Sequence, residues 1–175
     1  MDETAIENQP PGLIVRGYLT LDEIVAPILA EASQLCWWVN VQSGPFDPLW
    51  HYADKNEELV ESFQIQTSTE CTLWKTGFVS TLSPHVVVDE WSYFYGSAVD
   101  SVEFVRRAIE SDKLFRSGSQ MAEFLAYLCD NKDLFLIYVD GWWEIYDGND
   151  SRRQRFKDYF SDASLTSWRY SEENE

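Results

Sequence analysis

The spacing of apolar residues changes several times along the chain. Apolar side chains recur at helical spacing over residues 20–35, alternate with polar ones over 63–66, and form unbroken runs at 35–39 and 134–139. The first run continues to Val41 after one polar residue, Asn40, so a strand is expected over 35–41. Helical spacing returns near 102–111, 117–131 and 150–160. A period of three to four residues predicts a helix, whereas alternation or a short unbroken run predicts a strand. The predicted strands cluster instead of alternating strictly with helices, which favours an α+β fold over a doubly wound one.

We therefore expect a single α+β domain, with a mostly antiparallel sheet of about five to six strands and three to four helices packed on it. Residues 1–12 are acidic and end in Pro-Pro-Gly, which predicts a flexible N-terminal arm. Residues 13–160 are expected to form the domain, and residues 161–175 a polar C-terminal tail. Pro27 lies inside the first helical pattern and predicts a kink there.

Local signals place several strands. Residues 63–66, 72–82 and 86–95 have strand-like patterns separated by turn signals, which predicts an antiparallel meander. The run LFLIYV at 134–139 is apolar on both faces and predicts a central strand. Asp140-Gly141 is typical of a type I′ hairpin turn, with the chain returning over 142–146. Three tryptophans, Trp37, Trp38 and Trp74, are expected in the core.

The charge is strongly negative and unevenly spread. Thirteen Lys and Arg stand against 30 Asp and Glu, for a net charge of −17. Residues 1–105 carry a net −13, whereas residues 106–175 carry only −4. Nucleic acids and anionic membranes need a basic face, so neither is an expected partner. A basic protein is the partner that such a field attracts.

Several kinds of chemistry lack a recognisable motif. The two histidines, His51 and His85, have no zinc-site spacing around them, and no glycine-rich phosphate loop or GxSxG occurs. The three cysteines are an odd number without paired spacing, which is typical of reduced thiols in the cytoplasm. No apolar run approaches the length of a bilayer span, and the N-terminus lacks the features of a signal peptide. We therefore predict no metal, no cofactor and no catalytic residue.

One pattern does suggest a function: carboxylates are interleaved with Trp and Tyr in three places. Period-two geometry places Asp89, Trp91 and Tyr93 on one face of a strand, and Trp142, Glu144 and Tyr146 on one face of another. Trp and Tyr are enriched at binding hot spots, and carboxylates steer cationic partners. The candidate partner-binding residues are Asp47, Trp50, Asp54, Glu57, Glu58, Asp89, Trp91, Tyr93, Asp140, Trp142, Glu144, Tyr146 and Asp147.

Two hypotheses follow from this pattern. In the first, the chain is an acidic cytoplasmic protein-binding module, such as an immunity or inhibitor protein that occludes the basic active site of a toxin or of a nucleic-acid-binding protein. In the second, it is an α+β small-ligand-binding domain or hydrolase with an aromatic-lined pocket. The first predicts that the acidic and aromatic groups share an outer surface. The second predicts that the rings line a concavity.

Overall fold

The fold is an antiparallel sheet with helices on both faces. The computed structural model describes residues 12–41, 49–67, 71–86, 88, 91–99, 121–161 and 164–166, together with residues 103, 104, 106, 107 and 110. Within these residues eight strands form one sheet, and every neighbouring pair is antiparallel. The expected α+β architecture is confirmed, although the described residues form more strands than the five to six predicted and more helices than the three to four predicted.

The strands and helices have the following bounds. The strands are β1 (Gly12–Arg16), β2 (Cys36–Val41), β3 (Gln64–Thr67), β4 (Cys71–Trp74), β5 (Trp91–Ser97), β6 (Leu134–Val139), β7 (Trp142–Asp147) and β8 (Ser164–Thr166), and their order across the sheet is β3-β4-β2-β5-β6-β7-β1-β8. The helices are α1 (Leu21–Val25), α2 (Leu29–Ala32), α3 (Trp50–Phe63), α4 (Phe78–Leu82), α5 (Met121–Asn131) and α6 (Asp150–Tyr159). Residues 103, 104, 106, 107 and 110 are also helical.

The centre of the sheet follows the sequence closely. All six residues of β6 are buried, as an apolar run between two neighbouring strands requires. Asp140 and Gly141 have φ angles of 25° and 97°. Positive φ at both central residues is the signature of a type I′ turn, so the predicted hairpin from β6 to β7 is confirmed.

The predicted meander is wrong. β3 and β4 do pair, but β4 then pairs with β2, and β2 separates β4 from β5. Residues 72–82 do not form one returning strand, because β4 ends at Trp74 and α4 follows. Gly77, with φ of 87°, precedes α4, and the buried Phe78, Val79 and Leu82 lie at helical spacing. A strand-like composition concealed this short helix.

The first helices, α6 and β8 add details that the sequence patterns did not specify. Pro27 interrupts the first helical pattern, which forms α1, a 3₁₀ turn at Ala26–Ile28, and α2. Asn149 caps α6, because its side chain accepts a hydrogen bond from the backbone N–H of Arg152 at 3.0 Å. β8 lies within the expected tail and pairs with β1. The expected arm falls almost wholly outside the described residues.

Two apolar cores flank the sheet. One contains Trp37, Trp74, Phe94 and Trp143 with residues of α1, α3, α4 and α6, and the other contains Trp38, Tyr95 and Phe135 with residues of α5. The three tryptophans expected in the core are therefore buried there. Because both faces of the central strands are covered, most strand rings are enclosed within the protein.

Candidate functional site

The structure divides the candidate residues between interior and surface. Asp54, Glu57, Glu58 and Asp140 are exposed, and Trp142 is half-buried. The side chains of Tyr93, Glu144, Tyr146 and Asp147 are buried. Asp47 and Asp89 lie outside the described residues, as do the side chains of Trp50 on α3 and Trp91 on β5.

The acidic and aromatic groups on β7 share a face, as the alternation predicts, but most of that face is interior. Glu144 is only 2% exposed and accepts hydrogen bonds from Tyr146 Oη at 3.0 Å and Trp142 Nε1 at 3.3 Å. Tyr146 is part of the core that contains residues of α5. Glu144, Tyr146 and Tyr93 therefore expose almost no area to a partner. The expectation that they form part of a binding surface is corrected, because they lie in the interior.

Asp147 forms a buried ion pair that joins β7 to α6. Its carboxylate accepts hydrogen bonds from Arg152 Nη2 at 2.8 Å and Arg152 Nε at 3.0 Å, and from the backbone N–H of Asn149 at 2.9 Å. Arg152 Nη2 also donates to the carbonyl of Lys132 at 2.6 Å. Burial raises the pKa of Asp147, and Arg152 opposes that shift. This carboxylate links β7 to α6 and is not available to a partner.

A third buried carboxylate, Asp133, was not among the candidates. It is 1% exposed and lies just before β6, where it accepts a short hydrogen bond from Tyr95 Oη and lies 3.5 Å from Arg107 Nη1. Arg107 Nη1 also donates to Ser97 Oγ at 3.3 Å. Burial raises the pKa of Asp133, although Ser97, Tyr95 and Arg107 oppose the shift.

The Asp133 group joins three parts of the fold: β5, the start of β6 and the helical residues near 107. Nothing in the sequence could reveal it, because Asp133 is 38 residues from Tyr95 and 26 from Arg107. A carboxyl with a shifted pKa inside a polar cluster can be a functional group. Here its partners are side chains from β5 and from the helical residues near 107, so the group links these parts of the fold to the start of β6.

The exposed face of α3 is different. Asp54, Glu57, Glu58 and Glu61 are all exposed, and within the described part of the chain none of them forms an ion pair. These four residues form the α3 acidic face. Val60, on the opposite side of the helix, belongs to the core containing Trp37. Glu61 was not a sequence candidate, although its spacing of four residues from Glu57 places it on the same face.

The α3 acidic face carries like charges at helical neighbour spacing. Glu57 and Glu61 are separated by four residues, as are Asp54 and Glu58, although a kink at Asn56 lies between the latter two. Like charges at this spacing destabilise a helix, and carboxylates near its C-terminus oppose the helix dipole. The face therefore costs the isolated helix stability, and a positively charged partner would relieve that cost.

The described residues contain neither a cluster of three or more His, Cys, Asp or Glu side chains that could hold a metal ion nor a helix that is long and apolar enough to cross a bilayer. His85 is exposed and its ring stacks on Tyr52 at a centroid distance of 3.8 Å.

No protein-family model, no curated protein and no solved structure matches this chain.

Proposed function

We propose that this protein is an acidic binding module that docks onto a basic protein and occludes its cationic site. The observation that carries the proposal is the α3 acidic face, four exposed carboxylates without an ion pair in the described chain. The two buried aspartates already have arginines near them. Carboxylates that are not used inside the fold are the ones free to meet a partner.

Electrostatics supports this role in two ways. A net charge of −17 attracts a cationic protein over distances comparable with the Debye length and raises its association rate. At contact, the carboxylates of α3 pair with Lys or Arg side chains of the partner, which also relieves the repulsion within the helix.

The proposed mechanism is occlusion. Carboxylates occupy positions where the phosphates of a nucleic-acid substrate would lie, so the partner's basic groups become unavailable to that substrate. An immunity or inhibitor protein acting in the cytoplasm has this mode of action. The shared outer surface of acids and rings expected for this role is absent on β7, because Tyr146 and Glu144 are enclosed, and Tyr93 on β5 is enclosed as well. We therefore assign the recognition by α3 mainly to charge.

The alternative of an aromatic-lined pocket receives less support. The rings that it would use, including Tyr93, Tyr95 and Tyr146, belong to a core that packs against α5. Within the described residues, the polar group around Asp133 links structural elements and is buried among them.

The test compares two triple variants of equal charge change. The α3 variant combines Glu57→Gln, Glu58→Gln and Glu61→Gln, which neutralise three of the four residues of the α3 acidic face. The control, called the α5-side variant, combines Glu110→Gln, Glu123→Gln and Asp130→Asn, which neutralise three exposed acids elsewhere. Two of these acids are on α5, which packs on the face of the sheet opposite to α3.

Tagged wild type and both variants are used to capture proteins from the cells that naturally make this protein. We expect wild type and the α5-side variant to retain the same basic protein, released by salt, and the α3 variant to lose it. Equal retention by both variants, or no basic protein retained by wild type, would overturn the proposal.

A further inference from the structure

The most exposed large apolar side chain in the described part of the chain is Tyr18, at 83%. It follows β1 and lies beside the turn between β6 and β7. A Cβ placed on Gly141 would be 3.6 Å from Tyr18 Cζ and 3.7 Å from Tyr18 Cε1, so the phenol ring lies against that turn. Asp140, the other central residue of the turn, is exposed.

The loop that carries Tyr18 is held on both sides. The backbone N–H of Gly17 donates to the carbonyl of Gly141 at 2.8 Å. Trp143 Nε1 donates to the carbonyl of Leu19 at 2.9 Å. The N–H of Thr20 donates to the Glu23 carboxylate at 2.8 Å. An aromatic ring on a loop fixed in this way loses little freedom when it binds, which is what an anchor side chain requires.

The acidic residue of the turn that the phenol ring contacts, Asp140, favours a cation there. Asp22 and Glu23 lie in the first turn of α1, where both carboxylates already accept hydrogen bonds from Thr20. The nearest basic residue in sequence is Arg16, at the end of β1. Within the described chain neither Asp140 nor Arg16 has an ion pair, so the Asp140 carboxylate is open to an external group. A phenol face attracts a cation, and a carboxylate next to it accepts hydrogen bonds from one.

We propose that Tyr18 and Asp140 form a receptor for an arginine side chain of the partner. The guanidinium stacks on the exposed face of Tyr18 and donates to the Asp140 carboxylate. Arginine fits better than lysine because its planar group can stack and bond through two nitrogens at once. The inference rests on the proposed function, since it names a residue that the basic partner presents, at a place separate from α3.

The test uses a small probe, N-acetyl-L-arginine amide, followed by NMR on the full-length protein. We expect saturable shifts of the Gly17 and Gly141 amides with a millimolar dissociation constant. N-acetyl-L-lysine amide should bind about two- to fivefold more weakly. Asp140→Asn removes the charge and keeps a residue that tolerates positive φ, and Tyr18→Leu removes the ring. Each variant should lose the saturable shifts.

α6 offers a matched control, since it also carries an exposed Asp next to an exposed Tyr, Asp158 and Tyr159. Asp158→Asn with Tyr159→Leu should leave probe binding unchanged. Shifts that survive in the Tyr18 and Asp140 variants, or that centre on α6, would overturn the receptor. The α3 triple variant should bind the probe like wild type, so loss of the receptor and loss of the α3 contact are distinguishable results.

Discussion

Acidic residues serve opposite purposes at the end of the sheet and on α3. At the sheet end, Asp133 and Asp147 are buried and each lies near an arginine, at 3.5 Å and 2.8 Å respectively. On α3, the acids are exposed and the described chain offers them no ion pair. The comparison indicates that the fold encloses some of its carboxyl groups among its own side chains and leaves others at the surface.

The largest effect should come from Asp147→Ala. It leaves Arg152 buried without its carboxylate, and breaking a buried pair in this way costs about 3–5 kcal/mol. Urea unfolding measures the loss. Glu58→Gln on α3 is the control and should change the free energy of unfolding by less than about 0.5 kcal/mol. A similar loss of unfolding free energy in Asp147→Ala and Glu58→Gln would contradict the difference between buried and exposed acids.

Gly148→Ala should have the next largest effect, because it disturbs the turn that follows Asp147. An added Cβ would lie 1.9 Å from the carbonyl oxygen of Leu128, a backbone atom that cannot move aside alone. We expect a loss of about 1–3 kcal/mol in the free energy of unfolding. Thermal unfolding checks this, and an unchanged midpoint would mean that α5 and this turn are not packed so closely.

A pH series separates Asp133 from the surface acids. Since burial raises its pKa in the folded protein, folded Asp133 binds protons more tightly than unfolded Asp133. Its contribution to stability is therefore greatest at low pH and declines as the pH rises from its ordinary pKa through the raised one. The difference in unfolding free energy between wild type and Asp133→Asn should fall over that window. If the difference in unfolding free energy rises or stays constant over that window, the pKa of Asp133 is not raised in the folded protein.

Removing charge from α3 should have the smallest effect on stability, and in the favourable direction. Glu57→Gln removes a like-charge neighbour of Glu61, and each such pair costs a helix about 0.2–0.5 kcal/mol. Circular dichroism during urea unfolding, at low salt, measures the gain. A clear loss of stability would mean that Glu57 has a stabilising contact within the fold.

The parts of the fold that depend on neighbours in sequence could be predicted. The buried run of β6, the Asp140-Gly141 turn and the break at Pro27 each follow from a few adjacent residues. The insertion of β2 between β4 and β5 could not, because it pairs residues far apart in the chain. The ring of Tyr18 was also missed, since its place beside Gly141 depends on β1 lying next to β7.

The candidate site shows a related limit. Alternation in sequence correctly grouped Trp142, Glu144 and Tyr146 on one face of β7, as their hydrogen bonds demonstrate. Alternation does not say whether another layer covers that face. Helix α5 packs over part of it, so rings expected at the surface are in a core. Composition alone indicates the acids of α3 other than Glu61, since the spacing of apolar residues does not predict the 14-residue helix that exposes them.

The central claim is that the α3 acids meet a basic partner, and the association rate tests it most directly. With the basic protein recovered by capture, stopped-flow mixing at several salt concentrations compares wild type with the two triple variants. We predict that the α3 variant associates roughly tenfold more slowly than the α5-side variant at low salt and depends less on salt. Equal rates and equal salt dependence for the two variants would contradict the claim.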